Sequence, residues 1–232
     1  MKKNILLIGG SSGIGYQISE LLNENNNIII ASRNKADLDT DKVTHIEFDV
    51  LNDDIADLDL PDTIDGLVYC PGSIDLKPFK MIKPDDFEKE MNLNFFGLVR
   101  SVKGVLDKLK NSNQASLVFF STVAVKVGMP FHTNVAAAKG AIEGFAKSLA
   151  AEYAPNFRVN VIAPSLTDTP LAEKLLSNDD KRKKMEQRHP LKRVGEPKDI
   201  ANLAAFLLSE NSSWITGQIL GIDGGLSTIN SN

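Results

Sequence analysis

The clearest chemistry in the sequence lies near its N-terminus, in Gly9-Gly10-Ser11-Ser12-Gly13-Ile14-Gly15. Glycines at this density let a backbone turn tightly and bring its amides against an anion. The string stands between a short apolar run, Ile5 to Ile8, and Ile14, Ile18, Leu21 and Leu22, whose spacing is that of an amphipathic helix. A turn that opens a helix offers orphan N–H groups and a partial positive charge, the means of holding a pyrophosphate. Metal chemistry has no comparable signal. The single Cys70 excludes an intramolecular disulfide and a cysteine cluster, and His45, His132 and His189 stand far apart in sequence.

Such a turn needs a strand behind it and a helix in front, and the apolar pattern alternates between the two along the whole chain. Strands are expected at Ile5–Ile8, Ile28–Ala31, Val43–Phe48, Ile64–Cys70, Ser116–Ser121, Arg158–Ala163 and Gln218–Ile222. Beyond the helix at Ile14–Leu22, helices are expected at Asp85–Leu109, Thr133–Tyr153, Pro170–Gln187 and Pro197–Leu208. Alternating strands and helices imply an α/β fold: a doubly wound parallel sheet of about seven strands, with helices on both faces and right-handed crossovers.

The 232 residues suffice for a full core without disulfides or metals. At 42% hydrophobic and 24% charged, the composition is that of a soluble globular protein. A formal net charge of −4 leaves no basic footprint for nucleic acid. No run of about 18 apolar residues is present to span a membrane, and Ile5 to Ile8 is too short for the core of a signal peptide. The expectations are a cytoplasmic protein and one domain over residues 1–232, since no linker or repeat divides it. The charge run from Asp179 to Lys184 reads as a solvated helix face.

The glycine spacing, G-x3-G-x-G, resembles the first motif of the short-chain dehydrogenase/reductase family, with Ile8 in place of its threonine. The resemblance continues in Arg158-Val159-Asn160-Val161-Ile162-Ala163-Pro164, which is similar to the family's sixth strand. His189 to Pro197 with Asp199-Ile200-Ala201 resembles its P-x-x-R-x-G-x-P-x-D-I-A segment, and Ile215-Thr216-Gly217 with Asp223-Gly224-Gly225 its closing strand and turn. The resemblance covers almost the whole chain. It implies a single-domain Rossmann-type fold with a nicotinamide dinucleotide held by Gly9, Ser11, Ser12, Gly13, Ile14 and Gly15. Asp49 and Val50 correspond to the adenine-contacting pair, and Gly72 closes the altered turn Tyr69-Cys70-Pro71-Gly72 after the fourth strand. Pro164, Thr167 and Thr169 lie in the segment that contacts the carboxamide, with Ser165 where the family has glycine. The acid that selects NAD is replaced by Ser32, and Arg33 follows it with a fork of donors suited to a 2′-phosphate, so NADP(H) is favoured over NAD(H).

The family's catalytic set is a Y-x-x-x-K helix with a serine and an asparagine. Lys139 fits the lysine, but four residues earlier stands Val135, and none of Tyr16, Tyr69 and Tyr153 has a lysine four residues on. Thr122 takes the serine position and Asn94 matches the asparagine. A replacement proton donor is suggested by His132, seven residues before Lys139 and able to share a helix face with it. Lys139 would still hold the nicotinamide ribose. The candidate catalytic residues are therefore Asn94, Thr122, His132 and Lys139.

These readings point to an NADP(H)-dependent oxidoreductase that moves hydride to or from a carbonyl/alcohol or an enoyl substrate, with an atypical proton donor. The competing reading is a catalytically silent NADP-binding relative acting as a redox sensor, subunit or scaffold. Residues 170–188 form the expected substrate segment, carrying Leu171, Leu175, Leu176 and Met185 beside the basic stretch Lys181 to Lys184. The expected partners are a small-molecule substrate and further copies of the chain as a dimer or homotetramer, which the long helices Asp85–Leu109 and Thr133–Tyr153 resemble the family in offering.

Overall fold

The structure is a computed structural model that describes residues 2–36 and 38–230. In chain order it runs β1 (Lys3–Ile8), α1 (Gly13–Leu22), β2 (Asn26–Ser32), β3 (Thr44–Glu47), β4 (Gly66–Tyr69) and α2 (Pro84–Met91). A π-helical turn (Asn92–Phe96) leads into α3 (Gly97–Gly104), α4 (Leu106–Lys110), β5 (Ala115–Phe120), α5 (Val123–Val127), α6 (Thr133–Tyr153) and β6 (Phe157–Pro164). A 3-10 turn (Pro170–Leu175), α7 (Asp179–Arg188), α8 (Pro197–Leu208) and β7 (Ile219–Ile222) complete the chain.

The strands form one seven-stranded sheet in the order β3-β2-β1-β4-β5-β6-β7, parallel throughout. Side chains alternate across a strand, so β1 feeds two cores. Leu6 and Ile8 pack with Leu98 and Val102 of α3 and Ile142 and Ala146 of α6. Ile5 and Leu7 pack on the opposite face with Ile18 of α1 and Ile200, Ala204 and Leu207 of α8. Leu6 and Leu7 are both fully buried, each burial contributing roughly 1.5–3 kcal/mol. The fold class matches the sequence reading.

Two expected helices are interrupted. Asp85–Leu109 is instead α2, the π-helical turn, α3 and α4. At the first break, the Asn94 side-chain amide donates to the Glu90 carbonyl at 2.9 Å, competing for an acceptor of the α-helical ladder. At the second, Gly104 is pressed against the Ile55 side chain, and Val105 leaves helical geometry with ψ 11°. Pro170–Gln187 is likewise divided into the 3-10 turn and α7. Asn178 starts α7 as its N-cap, accepting from Lys181 N at 2.9 Å, with Asp179 and Asp180 in the first turn. The short α5 was not expected. Thr122 caps it by accepting from Ala124 N at 3.3 Å, and Gly128 ends it at φ +64°.

Candidate cofactor and active site

In a doubly wound sheet the ligand crevice opens where the strand order reverses, at the C-terminal strand ends. Here the reversal lies between β1 and β4, where Gly9 follows one strand and Cys70-Pro71-Gly72 the other. A cleft of about 1070 Å³ occupies this position.

The glycine turn forms its floor. Gly9 and Gly13 adopt φ +73° and +56°, left-handed values that favour glycine. A Cβ on Gly9 would sit 3.0 Å from the Pro71 ring, so the altered turn after β4 packs directly on the loop. Ser12 is the N-cap of α1, yet its side chain makes no capping hydrogen bond. The hydroxyl and the positive end of α1 are thus left to whatever enters the cleft. Thr169 lies across from this helix start, with its Cγ2 3.4 Å from where a Gly13 Cβ would stand. Ser11, Ile14 and Gly15 line the same wall.

At the end beyond β2, Ser32 is buried, its hydroxyl 2.8 Å from the Asn34 carbonyl and 3.0 Å from His45 Nε2. Arg33 is exposed, lines the cleft, and makes no hydrogen bond or ion pair with another described residue. Asp49 accepts from Leu51 N at 3.0 Å and Asn52 Nδ2 at 2.8 Å. These bonds, led by the backbone one, hold its carboxyl below the usual range. Val50 is buried and lines the cleft beside it.

At the other end, β6 delivers Pro164 to the cleft, and Thr167 and Thr169 follow in the lining. Thr167 is held by its own bond to the Ser165 carbonyl at 3.0 Å. The helix α6 contributes Val135 and Lys139, both buried, with His132 at its N-terminus and Thr122 facing in from α5. The His132 Nδ1 lies 2.7 Å from the Pro130 carbonyl, which only accepts, so Nδ1 carries a hydrogen and Nε2 remains available. Burial lowers the Lys139 pKa to about 8 despite the opposing attraction of Glu90. Neighbouring Cys70 is pushed up to about 12 by desolvation and stays a neutral thiol.

Asn94 lies behind the wall rather than in it. It is fully buried, and its Oδ1 has no hydrogen-bond partner among the described residues. That oxygen and Lys139 Nζ converge above Gly72, 3.4 and 3.3 Å from where a Gly72 Cβ would stand. No tyrosine lines the cleft among the described residues. Tyr69 is buried in the core with its hydroxyl donating to the Leu93 carbonyl at 2.5 Å, and Tyr153 stacks on Phe157.

Two groups escaped the sequence reading. Ser73 lines the cleft and donates to the buried Glu90 carboxylate, one helical turn before Asn94. Ser165 lies 2.8 Å from Nε2 of the buried His189, whose Nδ1 lies 2.9 Å from the Met185 carbonyl. The spacing of Glu90 and Asn94 was available as a signal. The pairing of Ser165 with His189 was not.

Comparison with known proteins agrees with this fold. The family described as enoyl-(acyl carrier protein) reductase matches residues 9–227. A 3-oxoacyl-[acyl-carrier-protein] reductase of Chlamydia trachomatis is 30% identical, covering 97% of this chain and 98% of the relative. Among solved structures, Thermoplasma acidophilum aldohexose dehydrogenase superposes with a TM-score of 0.88 at 29% identity, covering 100% of this chain and 97% of the other. A Burkholderia cenocepacia gluconate 5-dehydrogenase, solved with NADP and tartrate, gives 0.90 at 25% identity, covering 99% and 97%.

Proposed function

This chain belongs to the short-chain dehydrogenase/reductase family, and on that premise we propose that it is an NADP(H)-dependent oxidoreductase working without the tyrosine. The observation that carries the reading is the pair of unsatisfied groups along one cleft: the uncapped start of α1 and unpaired Arg33. Each suits a different part of a dinucleotide, so the residues present fit the group. The gluconate dehydrogenase with NADP supports the cofactor class. Arg33 grips the 2′-phosphate, and the absence of an acid at Ser32 removes the repulsion that would oppose it. Gly9, Ser11, Ser12, Gly13, Ile14 and Gly15 cradle the pyrophosphate, while Asp49 and Val50 contact the adenine. Gly72, Pro164, Thr167 and Thr169 bound the nicotinamide end, and Lys139 holds its ribose.

When bound, the nicotinamide supplies or accepts the hydride. The chain's own residues manage the proton. His132, held through Nδ1, acts as an imidazolium that delivers its Nε2 proton to the substrate oxygen or carbon that gains electron density, leaving the neutral ring, and the neutral ring takes a proton back at Nε2 in oxidation. The Thr122 hydroxyl donates to the same oxygen, with its own oxygen already fixed by the α5 cap. Residues 170–188 roof the substrate, with Leu171, Leu175 and Met185 lining the cleft. The whole chain, residues 1–232, acts as one domain, assembled as a dimer or homotetramer through residues 85–109, from α2 to α4, and α6.

The test is NADPH oxidation over a panel of carbonyl and enoyl substrates. Turnover that falls about a hundredfold in His132→Ala supports the assignment. Turnover that is unchanged removes His132 as the donor. The buried valine at the tyrosine position favours one second reading, a silent NADP-binding protein. In that case NADPH binds, no substrate is turned over, and carbonyl reduction appears only in Val135→Tyr.

A further inference from the structure

We propose that Glu90 is a positioning residue of this site, its buried carboxylate holding the proton on Lys139 and fixing the Asn94 amide with its oxygen turned toward the lysine. Glu90 is 6% exposed in the last turn of α2, which packs on α6. A buried carboxylate is costly unless donors and an opposite charge compensate it. Its Oε2 has two donors, the Ser73 hydroxyl and Asn94 Nδ2 at 2.9 Å, and its opposite charge is Lys139.

The orientation of Asn94 follows from these acceptors. Its amide nitrogen faces the Glu90 carbonyl and the Glu90 carboxylate, each at 2.9 Å, and both only accept. The NH2 must point there, which leaves Oδ1 facing the space above Gly72 that Lys139 Nζ also borders. An uncharged amide at position 90 could donate instead, letting Asn94 turn over.

Other charges near the pair are taken up elsewhere. Lys77, on the loop after β4, is paired with Asp75 at 2.8 Å. Asp86 of α2 accepts from Lys83 N at 3.0 Å. Glu143, one turn beyond Lys139 on α6, accepts from the Ser121 hydroxyl at 2.5 Å. Cys70 beside Lys139 is neutral. Glu90 is therefore the carboxylate that answers the lysine. The catalytic consequence rests on the cofactor-site reading, but the test does not.

The experiment is pulsed acetylation of Lys139 across a pH series in the cofactor-free protein, read by mass spectrometry, with exposed Lys147 as internal reference. Glu90→Gln keeps the shape and removes the charge. Its Lys139 midpoint is expected to fall by about one pH unit, giving roughly fivefold more labelling at pH 7. Glu90→Asp, which retains the charge, is expected to stay close to wild type. Glu90→Leu suits burial and gives the same reading as Glu90→Gln if that variant folds poorly. A midpoint unmoved in the variants that lose the charge overturns the proposal, whether or not NADPH binds.

Discussion

The Ser165 hydroxyl and His189 Nε2 meet at 2.8 Å, closing the base of the segment that follows β6. The direction of the bond is fixed by chemistry. Nδ1 must donate to the Met185 carbonyl, so Nε2 accepts and Ser165 donates. One buried imidazole thus ties the strand end, where the cofactor is proposed to lie, to the last turn of α7. Cutting the tie in His189→Ala is expected to speed amide exchange across residues 166–188 while the β1 and β5 amides keep wild-type protection. Hydrogen exchange with mass spectrometry measures this. Unchanged exchange in the segment would show that its other contacts, the Thr167–Gly195 bridge and the Arg182–Asp168 ion pair at 2.6 Å among them, hold it without the imidazole.

A second expectation follows from the burial of Lys139. The folded chain holds this proton with a pKa near 8, against 10.5 for a free lysine. Between those values the unfolded state binds more protons, so stability rises with pH across that window. Below pH 8 the cost is present in full. Lys139→Met is therefore expected to stabilise the protein at pH 7 by on the order of 3 kcal/mol, with the gain shrinking as pH rises from about 8 toward 10.5. Denaturant unfolding at a series of pH values reads both quantities.

Stability at the far edge of the sheet depends on Arg158. Its guanidinium, buried on β6, donates to the carbonyls of Leu207 at 2.9 Å, Ser209 at 3.2 Å and Ser212 at 3.0 Å. Two of these lie at the C-terminal end of α8, where the helix cannot satisfy its own carbonyls. Burial lowers the pKa of the group. Arg158→Leu fills much of the volume but removes the guanidinium donors, leaving these carbonyls only their bonds from Ser116, Ser212 and Ile215, so a loss of about 2 kcal/mol is expected in chemical denaturation. A loss below about 1 kcal/mol would mean that water replaces the guanidinium.

The sheet and the glycine loop were legible in the sequence because both depend on local signals. Four-residue apolar runs mark strands such as Ile5–Ile8, and Gly9 to Gly15 must turn wherever a strand meets a helix. The break in the helix before β5 was not legible. It arises from the Asn94 side chain competing for a backbone carbonyl and from Ile55 pressing on Gly104, which is distant in sequence. The start of α7 at Asn178 was written in its capping residue and first-turn acids, but the continuing apolar spacing masked it. Glu90 reads as one more charge in Asp85-Asp86-Phe87-Glu88-Lys89-Glu90. Only the packing of α2 on α6 buries it where its charge can act on Lys139.

The most direct measurement is a fluorescence titration of the purified protein with NADPH and with NADH, repeated on Arg33→Ala. A charge-assisted contact between Arg33 and a 2′-phosphate contributes about 1.5–3 kcal/mol, roughly a tenfold to hundredfold preference. The expected result is saturable NADPH binding, preferred over NADH by that factor, with the preference abolished in Arg33→Ala. Equal affinity for both cofactors would contradict the role of Arg33, and binding of neither would contradict the cofactor site itself.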